Sequence, residues 1–255
     1  MKRKNRLLIG LLVLCTGIFS SALTMTVRAL IPYLQAEEEY KKLDQACAQD
    51  LEIPSTDNDT EPISSDFCPI TVDFQMLKTI NPDIVGWIYG EGTGISYPVV
   101  QGDNNEFYLS HMPDYTYNQS GSIFMDCRNT DQSEISNKIL YGHHMKNGSM
   151  FAGLQKYANQ DYYEAHNSFY YLTENKNYRL EILRAGVTTD ASDVYRTAFS
   201  SVQEKKSCVD RWDRKSCISS VFQEKADASL MTLSTCSYVT KNARFVVQGQ
   251  LIGMN

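Results

Sequence analysis

Thr232-Leu233-Ser234-Thr235-Cys236, followed eight residues later by Arg244, sets a thiol and a guanidinium close together in the chain. The cysteine ends a mostly apolar run, Ala228 to Leu233, that reads as a buried strand. Ala243 to Ile252 reads as a second strand, and a short polar loop joins the two. That hairpin brings Cys236 and Arg244 together at one end of a sheet. A cation beside a thiol favours thiolate, and thiolate is the nucleophile. A lone cysteine is more often a small buried hydrophobe. Here Ser234, Thr235 and Ser237 surround it, and the polar setting points to an accessible sulfur.

The chemistry also needs a base. The chain has four histidines, and His143 in Tyr141-Gly142-His143-His144 is the best placed. His143 and His144 follow an apolar strand, where neighbours point to opposite faces, so only one of them can face a cleft. Arg244 reads either as a surface charge or as a directed donor to a developing oxyanion, and the second reading suits a planar guanidinium. Lys241, in the turn, is the less directed cation. Ser234 lies two residues before Cys236 and shares its face, within reach of a bound substrate. Asp126 and Asp190 are available to orient a histidine, but spacing assigns neither, so no Cys-His-Asp triad follows.

The positioning elements come from periodicity and punctuation. Val72 to Ile80 predicts a short helix, stopped by Asn81-Pro82 because the residue before proline avoids helical geometry. Strands are predicted at Val85 to Tyr89, Ile95 to Val100, Ser122 to Met125 and Lys138 to Tyr141, with a helical turn over Asn104 to His111. Ser149 is expected to cap a helix through Tyr157, and Asp161 one through Asn167. Phe169 to Leu172 and Tyr178 to Val187 read as a hairpin. A polar insertion, Thr188 to Ala226, separates it from the cysteine strand. Within it Ser200 to Ile218 has helical spacing, with Val202, Cys208, Val209 and Trp212 facing inward. Many short strands and few helices indicate an all-β barrel or sandwich with helical insertions.

Lys2, Arg3, Lys4 and Arg6 precede an uncharged, largely apolar stretch, Leu7 to Val27. As a helix that stretch spans roughly 31 Å, about one bilayer core. The basic flank marks the cytoplasmic side and puts the bulk of the chain outside. A cleaved signal peptide is the competing reading, because Ser20-Ser21-Ala22 supplies small residues. The uncleaved anchor is favoured, since the uncharged run continues to Arg28. Pro32 to Gln49 reads as helix, and Leu51 to Phe67, rich in Ser, Asp, Thr and Pro, as a linker. The expected organisation is an anchor over 1–28, a helical stalk and linker over 29–67, and a catalytic domain over 68–255.

The chain carries a net charge of −6; the first six residues contribute +4, so the rest carries −10. That argues against a nucleic-acid partner, which calls for a basic face. Of seven cysteines, Cys47, Cys68, Cys127, Cys208 and Cys217 are left once Cys15 in the anchor and Cys236 are set aside. Their spacing fits no zinc pattern. A Cys208–Cys217 bridge and isolated thiols are both compatible with an oxidising compartment.

Thr-Leu-Ser-Thr-Cys with a downstream arginine, and an upstream Tyr-Gly-His, resemble the signature of sortases, membrane-anchored cysteine transpeptidases of Gram-positive bacteria. Asn81-Pro82-Asp83-Ile84-Val85-Gly86-Trp87-Ile88, Tyr97-Pro98-Val99-Val100-Gln101-Gly102, Gly121-Ser122-Ile123-Phe124-Met125-Asp126 and Gly148-Ser149-Met150-Phe151 point to class B. The resemblance runs from about Val72 to Ile252. It implies a closed β-barrel of about eight strands with helical insertions, following the N-terminal transmembrane helix. It also implies a site of Cys236, His143 and Arg244, with His143 selected by its place after Tyr-Gly. Asn105 and Leu109 match an Asn-x-x-x-Leu pattern that lines the sorting-signal groove, and Tyr195 and Ser234 are expected beside it. The implied reaction cleaves a C-terminal sorting signal after threonine and passes the acyl group to an amine of cell-wall peptide. A pilin lysine as the accepting amine leaves the site residues unchanged. Plain hydrolysis and a non-catalytic extracytoplasmic scaffold are the other readings. No organic cofactor or metal is expected. The expected partners are surface proteins bearing a sorting signal and a peptidoglycan precursor or pilin amine, with the catalytic domain extracellular.

Overall fold

The computed structural model describes residues 2–51, 68–130, 135–189, 192–236 and 243–254. Most of the linker expected over Leu51 to Phe67 lies outside the described residues, as do Asp190 and Lys241. Helix α1, Lys2–Cys47, runs unbroken through the expected anchor and stalk and contains Pro32. Its N-terminal part is long and apolar enough to cross a membrane, and its apolar side chains there are exposed. Its last three turns differ: Ala36, Tyr40, Leu43 and Cys47 repeat at three- and four-residue spacing and are buried against the main core. Strand β1, Ala48–Asp50, then pairs antiparallel with β2, Ile70–Val72. The expected stalk is therefore in part packed on the body. Charged residues of the exposed face masked the inward stripe.

Helix α2, Phe74–Ile80, is capped by Asp73, whose side chain accepts from Met76 N–H at 2.9 Å. Strands β3 (Ile84–Gly90), β4 (Ile95–Val100), β5 (Ile123–Met125), β6 (Asn137–Gly142), β7 (Ser168–Leu172), β8 (Asn177–Thr189), β9 (Leu230–Cys236) and β10 (Ala243–Gly253) close a barrel. Around the barrel the order is β10-β8-β7-β3-β4-β5-β6-β9. The β4–β5 and β6–β9 pairs are parallel and the others antiparallel. Closure removes sheet edges and encloses a core of Trp87, Ile88, Val99, Leu140, Phe169, Leu233 and Val247.

The insertion between β8 and β9 carries a 3₁₀ turn, Asp193–Tyr195, and helix α4, Val202–Asp213. Helix α3, Gln160–Ala165, precedes β7. Two expected caps move by a few residues. Asn159, not Asp161, caps α3 through its bond from Tyr162 N–H at 3.1 Å. The stretch after Ser149 is a 3₁₀ helix, Ala152–Ala158, with no side-chain cap, and Ser149 Oγ donates instead to Asn147. Cys208 and Cys217 are both free. Cys208 is buried on the inner face of α4, while Cys217 Sγ donates to the Ala185 carbonyl at 3.1 Å.

Candidate active site

Three adjacent strands bring the chemistry to one end of the barrel. On the hairpin of β9 and β10, Cys236 stands directly opposite Arg244. On the other side β6 runs parallel to β9, with Tyr141 level with Ser234 and Gly142 level with Thr235. The next residue, His143, therefore leaves the barrel beside the end of the cysteine strand. Apolar Ile139 and Leu140 are fully buried and fix the register of β6. Gly142 is required for close packing, since a Cβ there would come within 2.5 Å of Ile123 Cδ1 and 2.8 Å of the Phe151 ring. The backbone beyond it is tied down by Phe151 N–H, which donates to the His143 carbonyl at 3.0 Å.

His143 Nε2 lies 2.7 Å from the backbone carbonyl of Leu109. A carbonyl only accepts, so Nε2 carries the proton, and in the neutral ring the lone pair is on Nδ1. Leu109 closes the 3₁₀ turn Phe107–Leu109 and is 42% exposed. His144 instead forms an isolated bridge with Met150. Arg244 is half-buried, and its Nη1 donates to the Ala243 carbonyl at 3.3 Å.

A cleft of about 580 Å³ opens along this end of the barrel. His143, Arg244, Asn105, Leu109, Tyr195 and Ser234 all line it, so these sequence-predicted side chains meet in one place. Tyr195 and Ser234 form one wall: their hydroxyls are 2.8 Å apart, and the Tyr195 ring stacks on Tyr141 with centroids 6.1 Å apart. Asn105 Oδ1 accepts from Cys127 N–H at 2.8 Å. Thr235 also lines the cleft; its hydroxyl is buried and without a hydrogen-bond partner.

Next to Tyr195 and Tyr141 lies what spacing did not reveal, since Arg128 Nη2 donates to the Tyr195 carbonyl at 3.4 Å. Asp126 is fully buried and accepts from Arg128 Nε at 2.9 Å, Arg128 Nη2 at 2.7 Å and Tyr141 Oη at 2.9 Å. Burial alone would raise its pKa, but the bonds from Arg128, Tyr141 and Asn105 outweigh it and hold the carboxyl down at about 2. Burial and that carboxylate push the Tyr141 phenol up. Asp126 thus fixes the Arg128 guanidinium on the cleft wall. The Asp-x-Arg spacing was visible in the sequence, but nothing there separated it from a surface ion pair. Among the described residues no group of three or more His, Cys, Asp or Glu is placed to hold a metal ion.

Residues 88–252 match the sortase domain family. The chain is 38% identical over 181 residues to sortase B of Staphylococcus aureus (strain NCTC 8325 / PS 47), covering 70% of this chain and 74% of that protein. It is 35% identical over 178 residues to sortase B of Listeria monocytogenes serovar 1/2a, covering 69% and 72%. The fold is similar to that of a Staphylococcus aureus sortase B–substrate complex, with a TM-score of 0.67 and 38% identity, covering 71% of this chain and 85% of that one. A sortase B structure from Bacillus anthracis, in complex with AAEK1, gives a TM-score of 0.73 at 31% identity over 88% of this chain and 99% of that one.

Proposed function

The chain belongs to the sortase family and is a class B cysteine transpeptidase, and on that premise we propose how its own residues carry the reaction. Cys236 thiolate attacks the backbone carbonyl carbon of a threonine in a C-terminal sorting signal, forming the C–S bond. The oxyanion that develops takes hydrogen bonds from Arg244. Collapse breaks the C–N bond, and protonated His143 gives its Nδ1 proton to the leaving amine. A thioacyl-enzyme remains. The acceptor amine attacks that thioester while neutral His143 takes a proton at Nδ1, and the C–S bond breaks to release the new amide and the thiolate.

The observation that carries this reading is the register of three strands. Arg244 opposes Cys236, and His143 follows the residue level with Thr235. Asn105, Leu109, Tyr195 and Ser234 form the walls that hold the peptide. The apolar N-terminal helix anchors the enzyme in the membrane, with the basic Lys2, Arg3, Lys4 and Arg6 inside and the barrel outside. The acceptor is an amine of cell-wall peptide, and the product is a surface protein joined to the wall.

The test uses the full chain in detergent with peptides carrying threonine at the cut site and a panel of amines, followed by mass spectrometry. The expected result is an amide product from the wild type and no cleavage or trapped thioester from Cys236→Ala. Turnover near wild type in Cys236→Ala would overturn the assignment. A product formed only with a lysine of a pilin subunit, and with no wall-peptide amine, would move the acceptor to pilin.

A further inference from the structure

His143 is held from two sides, and both lead back to one residue of α1. On the ring side, Nε2–H donates to the Leu109 carbonyl at 2.7 Å. That carbonyl leans on Gly121, which has φ +56; a Cβ there would lie 2.6 Å from the carbonyl oxygens of both Leu109 and Tyr108. The same turn is sewn to the next residue by Ser122 N–H, which donates to the Tyr108 carbonyl at 2.9 Å, and by Ser122 Oγ, which donates to the His111 carbonyl at 2.8 Å. The Gly121 carbonyl accepts the hydroxyl of Tyr40 at 2.6 Å. On the backbone side, His143 accepts from Phe151 N–H and His144 bridges Met150. Met150 N–H donates to Tyr97 Oη at 3.0 Å, and the Tyr97 ring meets the Tyr40 ring edge-on, with centroids 5.1 Å apart.

Tyr40 is 6% exposed and spans both supports with one rigid side chain. We infer that Tyr40 of the N-terminal helix is a positioning residue for the transpeptidation, acting through Gly121 and the Leu109 carbonyl to fix the orientation and tautomer of His143. The proposal rests on the reading of His143 as the acid and base. Its consequence is that α1 is part of the support of the active site as well as a tether. A second bond of the same kind, Asn118 Nδ2 to the Pro32 carbonyl at 2.9 Å, joins α1 to the segment that leads into Gly121. A lateral error of the imidazole of even about 1 Å costs turnover, up to roughly a hundredfold.

The experiment uses the full chain in detergent micelles. Tyr40→Phe removes only the hydroxyl, and Gly121→Ala pushes directly on the Leu109 carbonyl. Each is expected to lower kcat for acylation about tenfold or more with KM within about twofold, and the double variant to be no worse than the more severe single. Leu43→Ala, one turn further along the same buried stripe, controls for simple destabilisation and should keep kcat within about twofold below its Tm. Nitrogen-15 spectra of histidine-labelled protein give a readout independent of turnover, with the His143 signals identified by their loss in His143→Gln. At a pH high enough for His143 to be neutral, the wild type should show one tautomer, protonated at Nε2, and Tyr40→Phe a mixture of two. If peptide is turned over but Tyr40→Phe changes neither kcat nor the tautomer, the positioning role is wrong and the proposed chemistry stands. If no thioacyl product forms in the wild type yet the tautomer responds to Tyr40→Phe, the chemistry is wrong and the support of the ring stands. A kcat loss in Leu43→Ala equal to that in Tyr40→Phe would also overturn the positioning role.

Discussion

The role proposed for Arg244 is that of a fork of donors in a fixed place. Its station opposite Cys236 is set by the β9–β10 register rather than by the side chain's own flexibility. Lysine keeps the charge but loses the planar pair of hydrogen bonds. Loss of one oxyanion donor costs on the order of a hundredfold or more in rate. Arg244→Lys and Arg244→Ala are both expected to fall by about that factor in acylation rate, with the fold intact by circular dichroism. Near-normal turnover in Arg244→Lys would mean that a diffuse positive field suffices. Asp126 gives a prediction in pH. Its folded pKa, about 2, lies below the ordinary 3.8, so its contribution is present above pH 4 and is lost as pH falls through 2. The difference corresponds to roughly 2 kcal/mol. Wild type should therefore lose about that much more stability than Asp126→Asn between pH 4 and 2, read from urea midpoints at each pH. That Cys236 and Arg244 would meet at one end of a sheet was legible in the sequence from reactive types at the ends of apolar strands, and the resemblance singled out His143 beside them. Asp126 and Arg128 were not legible, since an Asp-x-Arg spacing looks the same on a surface. The Leu109 carbonyl was invisible for a deeper reason: a main-chain group leaves no mark in residue types.

Helix α4 shows how an element is fastened by a charge. Cys208, Val209 and Trp212 face inward as their spacing predicts, Val202 at the first turn is only half-buried, and Ser201 caps the helix through Glu204 N–H at 3.2 Å. Lys205 joins that buried face, 1% exposed, and donates to the carbonyls of Lys225 at 3.0 Å, Ala226 at 3.3 Å and Ala228 at 2.7 Å. Glu224 lies 3.2 Å from its Nζ and also pairs with buried Arg184 on β8. Lysine 205 thus gathers the segment that leads into the cysteine strand. Breaking such a site from one side leaves three carbonyls without their donor and Glu224 without one partner. Lys205→Ala is expected to destabilise by about 3–5 kcal/mol in chemical denaturation, far more than Lys206→Ala on the exposed face. A cost below about 1 kcal/mol would show that water replaces the ammonium freely. Hydrophobic periodicity found this helix and its inward residues, but a lysine reads as solvent-facing in any such pattern. Caps were legible only to within a few residues for the same reason: Asn159 and Asp161 are both good capping types, and only backbone geometry chooses between them.

At the scale of the whole molecule, the boundary between anchor and enzyme is where sequence and structure part most. Strand count and punctuation pointed to a β-barrel or sandwich; the closure of the barrel depends on pairings such as β6 with β9, nearly a hundred residues apart, which no local pattern encodes. The expected stalk was read from its charged face, yet Ala36, Tyr40, Leu43 and Cys47 are buried on the barrel side and β1 extends the contact through β2. A fully buried apolar side chain is worth roughly 1.5–3 kcal/mol. Two truncations separate a tether from a structural part. A chain beginning at Arg28 keeps the whole contact, and one beginning at Cys68 loses α1 and β1 together. The Arg28 form is expected to be the more stable by several kcal/mol, with a thermal midpoint higher by on the order of ten degrees. Equal midpoints would make the packed turns of α1 dispensable. The same geometry governs topology. On the proposed topology, with the basic flank inside and α1 crossing the bilayer, protease added to wall-stripped cells is expected to cut beyond the packed turns and remove the barrel. The expected membrane-bound remnant is a fragment of about fifty residues or more that retains Lys2 to Cys47. Complete protection of the barrel would reverse the proposed topology, and a mature chain beginning near Ala22 would replace the anchor with a cleaved signal peptide.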